Sequence, residues 1–291
     1  MKPNFLSTLF SSILAKIKGA FWKLCYQHLA KSYQREDWKF MNYGYAPLEG
    51  NPEMMPLEPA DAQERYCIQL YRHVAGDVDL AGLEVLEIGS GRGGGADYVA
   101  RYLKPKTTIG VDFAKDAVEF CNRNYRVDGL SFKVGNAEAL PFADDRFDAV
   151  INVESSHCYP SVAAFLGQVK RVLREGGHFL FADMRSKADL TVLREQIRES
   201  GLTLIRETEI TPNVLRALKL DNERRIAMAK QMVRKSKLRN FLKFAGTEDT
   251  KFNKMLKNGE MVYVSCVLQK NNSGVSLHRS AEAQNTSFNL A

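Results

Sequence analysis

The segment Val85-Leu86-Glu87-Ile88-Gly89-Ser90-Gly91-Arg92-Gly93-Gly94-Gly95 runs from an apolar, β-rich stretch into a glycine-dense turn and then a helical pattern. Such a turn lets main chain approach a ligand where any Cβ would collide. In a doubly wound sheet the carboxyl end of the first strand also borders a ligand crevice. Gly89, Gly91 and Gly94 satisfy GxGxxG, which raises a nicotinamide-dependent dehydrogenase first, though the pattern alone is weak. Glu87 stands two residues before the first glycine, where its carboxylate is expected to line the crevice. A pyrophosphate gains nothing from a carboxylate there, whereas a cationic ligand does. Asp112 ends the next apolar run, Gly110-Val111-Asp112, in position to accept hydrogen bonds from a ribose diol. Tyr102 and Lys106 have YxxxK spacing but follow the first helix directly, with Pro105 between them, so no dehydrogenase acid–base pair is evident.

A ligand that combines a ribose, an adenine and a positive centre is S-adenosylmethionine. Over roughly residues 40–270 the chain resembles the class I S-adenosylmethionine-dependent methyltransferases through several motifs in order. Glu87-Ile88-Gly89-Ser90-Gly91-Arg92-Gly93 is similar to their ExGxGxG loop, whose backbone cradles the methionine part of the cofactor. Asp112 matches their ribose-binding acid. Gly135-Asn136-Ala137-Glu138-Ala139-Leu140-Pro141-Phe142 resembles the GDAExLPF segment that holds adenine, with Asn136 where aspartate is usual. An asparagine carbonyl still accepts from the adenine amino group. Phe147–Asn152 matches the fourth strand, and Arg171–Phe179 the RVLxPGG turn before the fifth, with Glu175 replacing proline. The resemblance implies cofactor contacts from Tyr43, Glu87, Gly89, Ser90, Gly91, Asp112, Asn136, Ala137 and Asn152, and no metal.

Two further segments narrow the resemblance. Phe40-Met41-Asn42-Tyr43-Gly44-Tyr45 and Asn152-Val153-Glu154-Ser155-Ser156-His157-Cys158-Tyr159-Pro160 are similar to the branch of sterol, quinone and small natural-product methyltransferases. The likeness is closest to the phthiotriolone/phenolphthiotriolone dimycocerosates methyltransferases, which O-methylate a hydroxyl on a hydrophobic lipid. Arg92 departs from a histidine common there. The implied function is O-methylation of a lipid or polyketide-type hydroxyl, a small hydrophobic acceptor. The alternatives are C-methylation of a sterol or isoprenoid alkene or of a quinone, with Glu154, His157 and Tyr159 stabilising a carbocation, and a non-catalytic cofactor-binding protein. An alcohol acceptor must lose its proton, and histidine is the side chain best suited near neutral pH. His157 is therefore the candidate base, its other reading being a hydrogen bond that shapes the loop. Glu154 either orients His157 or binds the cofactor's amino group. Tyr43 and Tyr45 either close over the sulfonium by cation–π contact or pack in the core.

The elements that must position these residues follow from periodicity. Strands are expected at Leu83–Ile88, Thr107–Asp112, Leu130–Val134, Asp148–Val153, His178–Asp183, Leu202–Ile210 and Met261–Leu268, and helical stretches follow the first five. This alternation argues for an α/β fold with a parallel sheet, a Rossmann-like, seven-stranded doubly wound sheet with helices on both faces, although the last two strands break the rhythm. A helical insertion at about 211–258, rich in Lys and Arg, precedes the last strand and is either a solvated helical face or a lid over the acceptor site that, with the first segment, rests against anionic lipid. The expected organisation is an amphipathic segment over 1–38, a methyltransferase domain over 39–270 and a disordered tail over 271–291. Leu6, Leu9, Phe10, Ile13, Leu14, Ile17 and Phe21 recur at helical spacing, so this first segment either lies on a membrane or packs on the protein's own core.

With 45% hydrophobic and 26% charged residues, the 291-residue chain is neither wholly disordered nor fibrous. Lys+Arg 41 against Asp+Glu 34 gives +7, which favours acidic partners or an anionic membrane surface. No basic block is interleaved with aromatics, so no nucleic-acid partner is expected. Five scattered cysteines without a CxxC pair suit reduced thiols. A cytoplasmic protein is expected, peripheral on a membrane if the first segment meets one.

Overall fold

The computed structural model describes Gly19, Trp22 and residues 24–48 and 56–271. The apolar spacing from Leu6 to Phe21, part of the proline-rich stretch and the tail beyond Asn271 lie outside these residues. Strands β1 (Glu84–Ile88), β2 (Thr107–Asp112), β3 (Leu130–Val134), β4 (Phe147–Val153), β5 (Leu173–Ser186), β6 (Thr203–Glu209) and β7 (Met261–Gln269) form one sheet. Its order is β3-β2-β1-β4-β5-β7-β6. Helices α1 (Arg65–Ala75), α2 (Gly94–Tyr102), α3 (Lys115–Asn124), α4 (Val162–Val172) and α5 (Lys187–Ser200) flank the strands.

The inner strands β1, β4, β5 and β7 are buried along most of their length because both sheet faces are covered there, whereas the edge strands β3 and β6 are largely exposed. Alternate residues supply two cores. Val85, Ile151, Leu180 and Tyr263 pack with Ile68, Leu70 and Val74 of α1. Leu86, Val150, Phe179 and Phe181 face the other way, onto Phe165 and Val169 of α4 and Leu193 and Ile197 of α5.

Among the strands, β5 departs furthest from the sequence-based expectation of His178–Asp183. β5 spans Leu173–Ser186, and its pairing with β7 continues to Ser186 opposite Met261. The sheet is also mixed, since β7 runs antiparallel to both β5 and β6. A parallel strand needs a crossover back to the opposite sheet edge. Here the chain leaving β6 builds α6 (Thr211–Leu220), α7 (Asn222–Met232), α8 (Lys235–Phe244) and α9 (Lys251–Lys257) instead. These helices keep it at the edge where β6 ended, so β7 enters there and runs the other way.

Candidate active site

At the carboxyl ends of β1, β2, β4 and β5 the sheet opens into a cavity of about 1820 Å³. Its walls are the glycine loop, the end of β2, the turn at 135–138, the loop after β4, parts of α5 and α8, and the helical segment 24–32. Pockets for one drug-sized ligand run about 300–1,000 Å³, so this cavity has room for two ligands side by side.

The glycine loop and β2 are joined through Asp112. The Gly91 N–H donates to its Oδ2 at 2.9 Å and the Ala114 N–H to its Oδ1 at 2.8 Å. Gly91 has φ +51°, a left-handed conformation that a side chain resists. Burial raises the Asp112 carboxyl, and these N–H donors work against that rise. Gly95, one turn on, lies against the Tyr71 ring with no room for a Cβ. That close approach delivers the Tyr71 hydroxyl to Glu87, to which it donates at 2.6 Å.

Glu87 does not line the crevice as expected. In β1 it follows Val85 onto the α1 face, is 1% exposed, and lies beneath the loop. Its Oε2 is buried without a partner among the described residues. Burial pushes the carboxyl up to about 8. Ser90 is likewise buried, its Oγ without a partner among the described residues, whereas Gly89 and Gly91 border the cavity. Asn152 is fully buried behind the site, and its Nδ2 donates to the Ile88 carbonyl (2.8 Å) and to Ser155 Oγ (2.7 Å). It ties the ends of β1 and β4 together. Asn136 and Ala137 border the cavity, but the Asn136 Oδ1 already accepts from the Glu138 N–H at 3.2 Å. Two buried acids, one with an orphaned oxygen, beside a glycine loop that borders the cavity fit S-adenosylmethionine, a cation that carries a diol.

The loop after β4 holds the chemistry. Its residues Ser156–Cys158 form a 3-10 turn that brings His157 to the cavity wall. His157 Nδ1 lies 2.8 Å from Asp183 Oδ1, and the His157 N–H donates to Asp183 Oδ2 at 2.9 Å. Asp183 is completely buried at the end of β5 and also takes the Ser156 hydroxyl (2.6 Å) and the Arg185 guanidinium (3.0 Å). Burial alone would raise the Asp183 carboxyl, but Arg185 and His157 hold it well below the carboxylate range. Burial likewise works against the imidazolium, yet Asp183 outweighs it and raises His157 to about 10. With Nδ1 committed to Asp183, Nε2 is the nitrogen left for an acceptor.

Glu154 does not orient His157. It has φ +48° and lines the cavity, and its Oε1 accepts from the Tyr43 N–H (2.6 Å) and the Tyr263 hydroxyl (2.7 Å). Burial raises it to about 7, while both hydrogen bonds pull it down. Tyr43 borders the cavity and stacks on Phe252 at 4.5 Å. Tyr45 does not join it. Gly44 at φ +85° turns the chain, and Tyr45 stacks on His73 at 4.4 Å, outside the cavity.

Sequence reasoning missed Asp183, Arg185, Tyr71 and Tyr263. Only Asp183 carried a signal, as the acid ending the expected fifth strand, where ligands of such sheets gather. It also missed what Arg92 does. The buried guanidinium donates to the carbonyls of Trp38, Tyr33 (2.8 Å) and Arg35 (2.6 Å), and lies 4.8 Å from the Trp38 ring centroid and 4.2 Å from that of Phe120. It thereby straps residues 33–38 across the glycine loop.

Comparison with known proteins agrees with this geometry. Residues 86–181 match a family model described as a methyltransferase domain. The fatty-acid O-methyltransferase of Mycolicibacterium smegmatis is 41% identical over 203 residues, 70% of this chain and 73% of that protein. The phthiotriol/phenolphthiotriol dimycocerosates methyltransferase of Mycobacterium tuberculosis is 36% identical over 247 residues, 83% of this chain and 89% of its own. The chain belongs to the S-adenosylmethionine-dependent methyltransferases. The fold agrees with the crystal structure of geranyl diphosphate C-methyltransferase from Streptomyces coelicolor A3(2), solved with S-adenosyl-L-homocysteine. That match has a TM-score of 0.61 at 17% identity and covers 84% of this chain and 98% of that one. No helix among the described residues is long and apolar enough to cross a membrane.

Proposed function

We propose that this enzyme O-methylates a lipid acceptor with a long apolar chain, and that His157 is the base acting on the acceptor hydroxyl. The observation that carries the reading is the His157–Asp183 pair in the wall of a cavity large enough for cofactor and lipid together. When bound, S-adenosylmethionine supplies a methyl group on a sulfonium, open to in-line attack by oxygen. Positioning provides much of the acceleration in such a displacement. Gly89, Gly91 and the 136–137 turn border the cofactor's share of the cavity, and Asp112 meets the ribose. Glu87, raised to about 8 in the cofactor-free protein, ionises beneath the loop as the cation binds above it, and Ser90 and Asn152 hold the loop in shape. Glu154, anchored by Tyr43 and Tyr263, faces the positive end of the cofactor. His157 takes the hydroxyl proton on Nε2, and Asp183 stabilises the imidazolium that forms. The relatives act on lipids by name, one on a fatty acid and one on phthiotriol and phenolphthiotriol dimycocerosates.

A second reading has its own support. Two cations, His157 and Arg185, share the single carboxylate of Asp183. With His157 raised to about 10, this cluster is net positive at neutral pH. It would hold a fatty carboxylate, which needs no base. One experiment separates the readings: incubate the protein with methyl-labelled cofactor and matched long-chain alcohol and acid, and follow product and rate against pH. A hydroxyl acceptor gives an ether and a rate that rises with pH as His157 loses its proton. A carboxylate acceptor gives a base-labile ester and a rate that falls over the same range. A carbon-bound methyl group in the product would reject both.

A further inference from the structure

We propose that the outward face of α8, with the adjoining end of α7, seats this enzyme on an anionic lipid bilayer beside the mouth of its cavity. From residue 230 to 243 the chain carries Lys230, Arg234, Lys235, Lys237, Arg239 and Lys243, and no acidic residue. All six are exposed, and among the described residues none pairs with an acid. Elsewhere the surface interleaves its charges, as on α5, where Arg194 meets Glu207 and Arg198 meets Glu195.

The inward side of the same helix is apolar. Leu238, Phe241, Leu242 and Phe244 cluster with Tyr33, Trp38 and Leu29. Phe241 and Phe244 also line the cavity, and Lys237 and Lys243 border it. α8 is thus one layer thick between cavity and solvent, with Phe241 and Phe244 turned inward and its cations along the solvent side and the rim. The other helical wall, residues 24–32, leaves Leu24 69% exposed.

Charge and shape select the occupant. A stripe of flexible cations defines no pocket for a single anion, and it matches the diffuse field of anionic headgroups. Single-stranded nucleic acid would call for aromatic stacking platforms beside the charge, and the aromatics of α8 point inward; a duplex is one outcome of the test. An apolar acceptor taken from a bilayer at this rim enters the cavity without crossing water. The inference holds whichever acceptor oxygen is methylated, because docking involves neither His157 nor Asp183.

The test is co-sedimentation of the full chain with phosphatidylcholine vesicles, with and without phosphatidylglycerol, compared with the combined variant Arg234→Gln, Lys235→Gln and Arg239→Gln. These three positions lie outside the cavity lining. A cation near an anionic leaflet contributes roughly fivefold to partitioning, so the variant should bind on the order of a hundredfold more weakly. Binding of the parent should weaken as salt rises. Turnover of an acceptor dispersed in detergent should be unchanged, which verifies the fold. Undiminished vesicle binding by the variant, equal binding to vesicles lacking phosphatidylglycerol, or preference for a duplex RNA probe over vesicles would each overturn the proposal.

Discussion

Tyr43 and Glu154, 111 residues apart, meet through a main-chain N–H donated to a carboxylate at 2.6 Å. The contact fixes the segment after the N-terminal strap against the loop after β4, so both sides of the cavity share one anchor. Arg225 secures the same segment from behind, donating to the carbonyls of Asn42 (3.1 Å) and Ala245 (3.0 Å).

Removing the second donor to Glu154 tests this anchor. Tyr263→Phe leaves the buried carboxylate one hydrogen bond short, a loss of about 1–3 kcal/mol in stability. The Tyr263 hydroxyl pulls the carboxyl down, so without it Glu154 should titrate above its present value of about 7. Denaturant unfolding measures the first effect, and the pH dependence of cofactor affinity measures the second. An unmoved titration would show that Tyr263 does not tune this group.

Glu87 makes a prediction for the cofactor-free protein. Its carboxyl rises from the ordinary 4.5 to about 8 on folding. A native pKa above the unfolded one means that the stability it contributes is fully present below about 4.5 and is lost as pH climbs through about 8. Glu87→Gln keeps an acceptor for Tyr71 and cannot titrate, so its Tm should decline less over that window. Parallel Tm-versus-pH curves for the two proteins would contradict the assignment.

Asp183→Asn isolates the electrostatic half of the dyad. The amide oxygen still accepts from His157 Nδ1, but the charge that raises His157 to about 10 is gone. With a hydroxyl acceptor the base must be neutral, so lowering its pKa moves the rising limb of the rate profile to lower pH. The maximal rate should fall roughly a hundredfold to ten-thousandfold, the usual worth of a positioned base. A slower enzyme with an unmoved limb would point to a purely structural Asp183.

Arg92→Lys asks whether the strap matters to the cofactor. One ammonium cannot span carbonyls at Tyr33, Arg35 and Trp38, where the planar guanidinium does. Weaker binding of S-adenosylhomocysteine by calorimetry and faster proteolytic cleavage between Tyr33 and Trp38 are expected together. Unchanged affinity alongside faster cleavage would separate the strap from the cofactor site.

The parallel strands were legible because burial on both faces writes them as short apolar runs between turns. The glycine loop, Asp112 and His157 were legible because their chemistry is local. Asp183 was not recognised as the partner of His157, since that pairing depends on β4 and β5 lying side by side, 26 residues apart in the chain. Glu87 was placed on the wrong side of the loop. Strand alternation puts it with Val85, but only tertiary packing determines that this side meets α1. Nor does local pattern specify the direction of β7, which depends on where the helical insertion leaves the chain.

Arg92 hydrogen-bonds its strap through main-chain oxygens, and every residue offers the same oxygen whatever its side chain; only the Trp38 ring adds a side-chain contact. Apart from Trp38, the path of residues 33–38 is therefore insulated from their identity. Substitutions there can reshape the chamber's ceiling for a different lipid while the covering over the glycine loop stays fastened in place.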